Sequence, residues 1–336
     1  MTHALSEDEA LLILGSLFWN TFSREDNRYH DRSEIHPVQL VIGSEIVKAP
    51  YFDHWGELGV SSMAHHPDGR LYFTTGADLI EVSPGAGPPI TTFEIPGLRD
   101  VHEITLLGDL LWLANTGHDE VVAFDVHRRE VARRIPLEPF RSRVGMLSSR
   151  REGRDRFHCN QVFQGLDGRL YGLVHQVTGR MLGKRVARHL LRKRGDGGVI
   201  DLEAGSRKHL WLVAPHTVTV VNGEYWIFDS GSRHINIYDA RWRLKARIPV
   251  PSFGRGAAMS RSSGLFFAGM SQWKLEKSDR VSAISRGALD ERNLIQVFQP
   301  EARQCVGEIP VPDGVEQINN VYILPRKVAG ELIQFS

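Results

Sequence analysis

The chain is built from short apolar runs separated by polar turns. A loop, an apolar strand, a tight turn with glycine and a second strand carrying an aromatic residue recur five times. The copies read SSMAHHPDGRLYFTTG at 61–76, HEITLLGDLLWLANTG at 102–117, NQVFQGLDGRLYGLVH at 160–175, HTVTVVNGEYWIFDSG at 216–231 and GAAMSRSSGLFFAGMS at 256–271. Turns such as Asn222-Gly223 supply residues that tolerate positive φ, which two-residue β-turns require. Each copy is therefore predicted to be a β-hairpin.

The spacing of the hairpins predicts how they are arranged. Their turn glycines are 39, 60, 55 and 41 residues apart, at Gly69, Gly108, Gly168, Gly223 and Gly264. Repeats of about 40 to 50 residues with several strands each are typical of β-propeller blades. The longer intervals predict insertions, one of them at about 176–197. Helix-like charge alternation predicts a second insertion at 273–293. Residues 1–336 are predicted to form one propeller domain.

The two ends of the chain complete the predicted ring. A sixth strand, GVEQINNVYILP at 314–325, has no room after it for the rest of a blade, whereas LLILGSLFWN and HPVQLVIGSEIV near the N-terminus have nothing else to pair with. Pairing these strands leaves no long open edge. The fold class is thus predicted to be an all-β, six-bladed propeller closed by its termini. An α/β fold is disfavoured because strands do not alternate with helices of 10 to 15 residues.

Two segments carry resemblances to known propellers. PHTVTVVNGEYWIFDSGSRHINIYD at 215–239 resembles the NHL-type repeat, in which Pro-His opens the inner strand and Asp-Ser-Gly leads into the next. A wider resemblance over roughly 100–325, resting on VHEITLLGDLLWLANT, DRFHCNQV, FGRGAAM, FFAGMS and GVEQINNVYILP, is to a bacterial propeller family. These resemblances imply the fold and bring no known reaction with them.

Composition narrows the function classes. With 41% hydrophobic and 24% charged residues the chain can bury a core, and its net charge of +1 disfavours nucleic acid as a partner. Two cysteines, Cys159 and Cys305, are too few for a disulfide scaffold and predict free thiols. The N-terminus lacks the features of a signal peptide, and no apolar run reaches the roughly 18 residues that a membrane span needs. A cytoplasmic location is predicted.

Histidines begin or precede the inner strands of three consecutive copies: His102, His158 and His216. The first strand of each propeller blade lines the central channel, so these imidazoles are predicted to meet at one axis. Three neutral imidazoles suit a divalent transition metal such as Zn, Fe or Cu. The alternative is that each histidine bonds the backbone at the channel mouth. The three-histidine arrangement is similar to the zinc site of the peptidyl-amidoglycolate lyase family, but adjacent blades supply the histidines here, so that activity is not implied.

Polar residues at matching positions fill out the predicted pocket. Arg255, held between glycines, suits an anionic substrate group, and Glu316 is predicted to act as an acid, a base or a further ligand. Asn160 and Gln317 are predicted to contact substrate. Glu103 follows His102 and is a candidate catalytic or orienting carboxylate. The alternatives are a salt bridge between Arg255 and Glu316, and a solvated loop position for Glu103.

Other features receive structural interpretations. His65 and His66 precede a turn and are predicted to be turn or surface residues, and Cys159 is predicted to face the packing between blades. The acid-free segment RMLGKRVARHLLRKR at 180–194 has apolar residues at helical spacing and predicts a basic amphipathic helix. It could contact a carrier protein or an anionic membrane, cover the channel, or simply pack on the propeller face.

The leading hypothesis is a metal-dependent enzyme acting on an anionic small molecule, with the reaction open between lyase, hydrolase, isomerase and oxygenase. The chain has no Gly-rich phosphate or dinucleotide loop and no strand-turn-helix nucleophile elbow. The alternative is a non-catalytic propeller that binds a peptide, glycan or protein partner.

Overall fold

The computed structural model describes most of the chain as β-strands. The described residues are 5–16, 35–55, 59–83, 90–142, 155–179, 194–271, 293–312 and 314–334. The first twelve strands are β1 (Glu9–Ser16), β2 (Val38–Ile42), β3 (Glu45–Lys48), β4 (Ser62–His65), β5 (Leu71–Thr74), β6 (Leu79–Val82), β7 (Ile90–Phe93), β8 (Val101–Leu107), β9 (Leu110–Asn115), β10 (Glu120–Asp125), β11 (Glu130–Pro136) and β12 (Cys159–Gln164). The others are β13 (Leu170–Val174), β14 (Gly197–Asp201), β15 (Arg207–Leu212), β16 (Pro215–Val221), β17 (Glu224–Asp229), β18 (His234–Tyr238), β19 (Leu244–Pro249), β20 (Phe253–Met259), β21 (Phe266–Ser271), β22 (Leu294–Gln299), β23 (Gln304–Pro310) and β24 (Gln317–Pro325). One α-helix, α1 (Arg326–Gln334), follows β24.

These strands form six antiparallel sheets of four strands each. Five sheets take their strands in chain order, and the sixth has the order β24-β1-β2-β3. Each predicted hairpin forms the first two strands of one sheet. The turn residues behave as expected: Asn222 and Gly223 have φ of 50° and 74°, the positive values that a tight hairpin turn needs. Six four-stranded antiparallel sheets that follow one another along the chain are the architecture of a six-bladed β-propeller. This confirms the predicted fold class.

The two ends of the chain share one sheet, as predicted. Strand β1 lies between β2 and β24, with Leu12 opposite Leu40 on one side and Tyr322 on the other. Because both edges of β1 are paired, the N-terminal strand leaves no open edge there.

The chain divides into two compact units. A two-sheet unit comprises Met1–Ser61, Ser83–Pro89 and Ile248–Ser336, and a four-sheet unit comprises Ser62–Val82 and Ile90–Arg247. Within the four-sheet unit the first strands β4, β8, β12 and β16 contact one another in succession. Whether the whole chain behaves as one domain stays a prediction.

Apolar side chains fill the spaces between neighbouring sheets of the four-sheet unit. Between the second and third sheets, Trp112, Phe157 and Ile200 belong to one buried cluster. Between the third and fourth sheets, Phe163 of β12 and Tyr225 of β17 belong to another buried cluster, with ring centroids 6.2 Å apart. This face-to-face packing holds the first strands side by side, and so determines which of their side chains can meet.

The predicted basic helix at 180–194 and the insertion at 273–293 fall almost entirely outside the described residues. Both cysteines are free, as predicted. Cys159 is fully buried, and this burial raises the pKa of its thiol to about 12. No helix in the described part of the chain is long and apolar enough to cross a membrane.

Candidate functional site

The first strands of three sheets in the four-sheet unit share an irregularity near their N-terminal ends. The pairing register shifts between Val101 and Ile104 in β8, between Cys159 and Gln161 in β12, and between His216 and Val218 in β16. Such bulges insert extra residues and redirect side chains, and they are frequent next to active sites. The predicted histidines lie at or beside these bulges.

The backbone around the histidines is held in an unusual conformation. Five non-glycine residues here have φ between 42° and 66°: Asp100, Asp155, His158, Ala214 and Thr217. A left-handed conformation costs such residues on the order of 1 kcal/mol each and persists only where the surrounding structure enforces it. Strain of this kind concentrates at functional sites.

The bulges bring two of the predicted ligands together. Nε2 of His102 lies 3.1 Å from Nε2 of His158, and the two rings meet edge to face. The side chains of His102 and His158 are 22% and 23% exposed, so the pair is reachable from solvent. Two imidazoles of adjacent sheets thus lie side by side, and their role as metal ligands stays a prediction.

Each predicted histidine has an acceptor at its other ring nitrogen. Both carboxylate oxygens of Asp155 lie 2.9 Å from Nδ1 of His158, and an oxygen of Asp100 lies 3.4 Å from Nδ1 of His102. Nδ1 of His216 lies 2.9 Å from the carbonyl oxygen of Ala214. Carboxylate and carbonyl oxygens accept, so Nδ1 of His158 and Nδ1 of His216 each carry a proton. The 3.1 Å between Nε2 of His102 and Nε2 of His158 then fits either a hydrogen bond between the two rings or a cation that both atoms share.

A fourth histidine joins the predicted three. His175 follows β13, and its ring centroid lies 4.2 Å from that of His158 and 5.1 Å from that of His216. Its backbone N–H donates to the carbonyl oxygen of His158. His175 ends the third hairpin copy, but it was not among the predicted site residues. We call His102, His158, His175 and His216 the histidine row.

A buried hydrogen-bond network fastens the strands beneath the row. Nε2 of Gln161 donates to Glu103 at 2.8 Å, and Oε1 of Gln161 accepts the backbone N–H of Val218 at 2.5 Å. Asn160 donates from Nδ2 to the carbonyl oxygen of Pro215 at 2.5 Å. Glu103 and Asn160, predicted to be catalytic and substrate-binding, are 8% and 3% exposed. Both therefore connect first strands in this structure, and their predicted roles remain untested.

The remaining predicted residues belong to the two-sheet unit. Nη1 of Arg255 donates to Asn319 at 3.4 Å, the Glu316 N–H donates to the carbonyl oxygen of Ser16, and Nε2 of Gln317 donates to the Ser16 hydroxyl at 2.7 Å. Strand β20 has the same register shift as the other first strands, between Gly254 and Ala257, and Arg255 lies within it. Their participation in one site with the histidines stays a prediction.

A group of three side chains that could hold a metal ion lies away from the histidine row, at the hairpin turns. Among the described residues, these three have their ligand atoms within 4.8 Å of one another. We call it the turn cluster: His66, Asp109 and His127. His66 was predicted to be a turn or surface residue without a ligand role. His66 does lie at the turn, but its ring is buried, with 6% of the residue exposed. Spacing could not reveal this group, because its members come from three turns of two sheets.

Comparisons with known proteins support the fold. No family model matches the chain, and no curated protein does. A Bacteroides caccae protein of unknown function has a TM-score of 0.58 at 11% identity, over 94% of this chain and 99% of that one. A chain of the nidogen/laminin complex has a TM-score of 0.55 at 10% identity, over 94% and 98%. Virginiamycin B lyase from Staphylococcus aureus has a TM-score of 0.43 at 12% identity, over 73% and 72%.

Identities this low show a shared fold alone. The chain is similar to β-propeller proteins, which confirms the predicted class. The distant resemblance to the peptidyl-amidoglycolate lyase family is not supported by these likenesses.

Proposed function

We propose that the chain is a metal-dependent enzyme whose divalent transition metal is held between His102 and His158 of the histidine row. The observation that carries this proposal is the approach of two Nε2 atoms to 3.1 Å. Asp155 and Asp100 sit at the opposite nitrogens of these rings, so both facing atoms present lone pairs when the rings are neutral with the proton on Nδ1. Two lone pairs repel one another at this distance unless a cation or a shared proton lies between them.

A metal fits this geometry. Two nitrogens about 2.0 to 2.1 Å from a tetrahedral zinc ion lie about 3.3 Å apart, close to the separation in the pair. A carboxylate behind each ligating imidazole is the usual supporting arrangement, because it fixes the tautomer and the ring orientation. Zn, Fe and Cu all accept imidazole ligands. Bound here, the metal would supply a Lewis acid beside the exposed edges of the two rings.

The other half of the row is suited to handling a proton. His216 keeps its Nδ1 proton on the carbonyl of Ala214, so its Nε2 is an acceptor. The ring of His175 contacts the ring of His158 on one side and that of His216 on the other. We assign His216 as a third metal ligand or as the base that accepts a substrate proton. The ligand atoms of His102, His158 and His216 are not a group within 4.8 Å, which favours the second role.

The proposed substrate is an anionic small molecule. Arg255 lies in a bulge of β20 that matches the bulges carrying His102 and His216. Its guanidinium suits a carboxylate or phosphate, and Glu316 with Gln317 would supply an acid or base and a substrate contact. Contact of 180–194 with a carrier protein or membrane, and a cytoplasmic location, belong to the same proposal. The reaction class stays open.

Metal analysis of untagged protein tests the proposal. We expect the His102→Ala and His158→Ala variants each to lose one equivalent of Zn, Fe or Cu relative to the parent chain. The matched control is His234→Ala. It removes an imidazole whose Nδ1 bonds the carbonyl oxygen of Ser232, two residues earlier, just as Nδ1 of His216 bonds that of Ala214. It should keep the full metal content. Circular dichroism should show the same β-sheet spectrum in all of the variants.

Retention of the full metal content in both row variants would overturn the proposal. So would a parent protein that binds none of these metals at this site when they are supplied in excess. A shared proton would then explain the short Nε2 separation, and the non-catalytic binding module would replace the enzyme.

A further inference from the structure

A second site lies at the turn cluster, at the hairpin ends of the first two sheets of the four-sheet unit. His66 comes directly after β4, Asp109 lies in the turn between β8 and β9, and His127 lies in the turn between β10 and β11. None of these residues belongs to the histidine row or to the function proposed above.

Backbone hydrogen bonds fix all three turns. The His66 carbonyl accepts the Gly69 N–H at 2.9 Å, and the Asp109 carbonyl accepts the Val126 N–H at 3.1 Å. Oδ1 of Asp125 accepts the N–H of His127 at 2.9 Å. The three side chains therefore project from well-defined turns.

Both imidazoles direct Nε2 at the same oxygen. Oδ1 of Asp109 lies 3.7 Å from Nε2 of His66 and 3.4 Å from Nε2 of His127. Charge-assisted hydrogen bonds are about 2.7 to 2.9 Å long, so these separations are too long for tight ion pairs. They are close to the roughly 3.3 Å between two ligand atoms on one tetrahedral zinc ion.

The ring of His66 is oriented by a further carboxylate. Oδ1 of Asp68 lies 2.8 Å from Nδ1 of His66, while the Asp68 N–H lies farther from it, at 3.3 Å. Nδ1 of His66 thus has two partners, the N–H that it accepts and the carboxylate to which it donates when it carries the proton. In the second arrangement of the neutral ring, the Nε2 lone pair faces Asp109. Arg70 holds this carboxylate in place, with its Nε 2.8 Å and its Nη2 2.7 Å from Oδ2 of Asp68. An ionised carboxylate behind a histidine is the usual support for a metal ligand.

We propose that His66, Asp109 and His127 bind a divalent transition cation, Zn²⁺ being the best match to two imidazoles and one carboxylate. The bound cation would join the β4–β5 hairpin to the turns of the second sheet. Because Asp109 and His127 are 66% and 55% exposed, a fourth position is open to water or to a ligand from solvent. The bound cation would stabilise the unit by an amount that rises with the logarithm of the cation concentration above Kd.

Zinc titration of the full chain tests this site. The probe is Zn²⁺ alone, followed by isothermal titration calorimetry and by thermal unfolding. Asp109→Asn and His127→Ala change exposed side chains, so the fold should survive, and each should lose one equivalent of Zn²⁺ or weaken its binding about 100-fold. The zinc-dependent rise in Tm should fall to the same extent.

His209→Ala is the matched control. His209 faces Asp196 at 3.4 Å, the distance at which His127 faces Asp109. This variant should bind Zn²⁺ as the parent does. Equal zinc binding by the parent and both cluster variants would refute the site, and so would an equal loss in His209→Ala, which would mean nonspecific binding by surface histidines. His102→Ala should leave this equivalent in place, which separates the site from the histidine row.

Discussion

The histidine row and the turn cluster use the same chemistry on different supports. In both, an aspartate holds Nδ1 of an imidazole at 2.8 to 2.9 Å, Asp155 for His158 and Asp68 for His66. The row stands on bulged first strands with left-handed residues and a buried polar network beneath it. The turn cluster stands on hairpin turns, and its shared carboxylate is 66% exposed.

The difference shows which contacts position the side chains of each site. The row depends on neighbouring sheets, because Gln161 of β12 reaches both Glu103 of β8 and Val218 of β16. The turn cluster depends on short-range backbone bonds within and between turns. We therefore expect the row to be sensitive to changes in the buried network, and the turn cluster to be sensitive only to changes in its own ligands and in Asp68, which orients His66.

The largest effect is expected from Gln161→Leu. The substitution removes the donor to Glu103 and the acceptor of the Val218 N–H in a buried network, which should lower the free energy of unfolding by about 3 kcal/mol. Urea denaturation measures this loss. Gln164→Leu on the same strand is the control, because Gln164 is exposed and should change stability by less than about 0.5 kcal/mol. Zinc binding at the turn cluster should be unaffected, and a matching loss there would remove the distinction between the two supports.

An intermediate effect is expected from Asp155→Asn. The amide leaves the shape unchanged but no longer supplies a charged acceptor to Nδ1 of His158, so metal affinity at the row should fall about 30-fold. Competition with a chelating dye measures the affinity. Asp68→Asn should instead weaken the turn cluster and leave the row unchanged. A loss at both sites in either variant would contradict the independence of the two clusters.

The smallest effect concerns the pH dependence of stability. Hydrogen bonds from Arg70 lower the pKa of Asp68 in the folded chain, so this carboxylate stabilises the fold above its unfolded pKa of about 3.9 and loses that contribution as pH falls further. Because the Asp68 side chain is 41% exposed, the contribution is about 0.5 kcal/mol. The stability difference between the parent chain and Asp68→Asn should therefore shrink between pH 6 and pH 3. A difference that stays constant over this range would show that the charge of Asp68 does not matter.

Much of the architecture could be predicted because hairpins are local. Turn residues such as Asn222 and Gly223 report their backbone conformation directly, and five hairpins appeared with their turns in place. The pairing of β1 with β24 followed from the absence of any other partner. The bulges could not be predicted in this way: the register shifts between Cys159 and Gln161, where the Asn160 amide donates to the carbonyl oxygen of Pro215 in the next sheet.

The candidate sites were predictable only in part, because contacts between residues far apart in the chain bring their side chains together. His102 and His158 were recognised because both lie near the start of a first strand. His175 was missed because it comes directly after the second strand of its sheet and not near the start of a first strand. The turn cluster was missed because His66 meets Asp109 only where two sheets pack together.

The amino-acid order by itself determined the strands, their turns and the sheet that joins the two ends of the chain, because neighbouring residues set those preferences. Tertiary structure decided which imidazoles meet. The approach of His102 to His158, and of His66 to His127, depends on strand bulges and on the packing of one sheet against the next. Both arise from contacts between residues far apart in the chain, and local sequence patterns carry no information about such contacts.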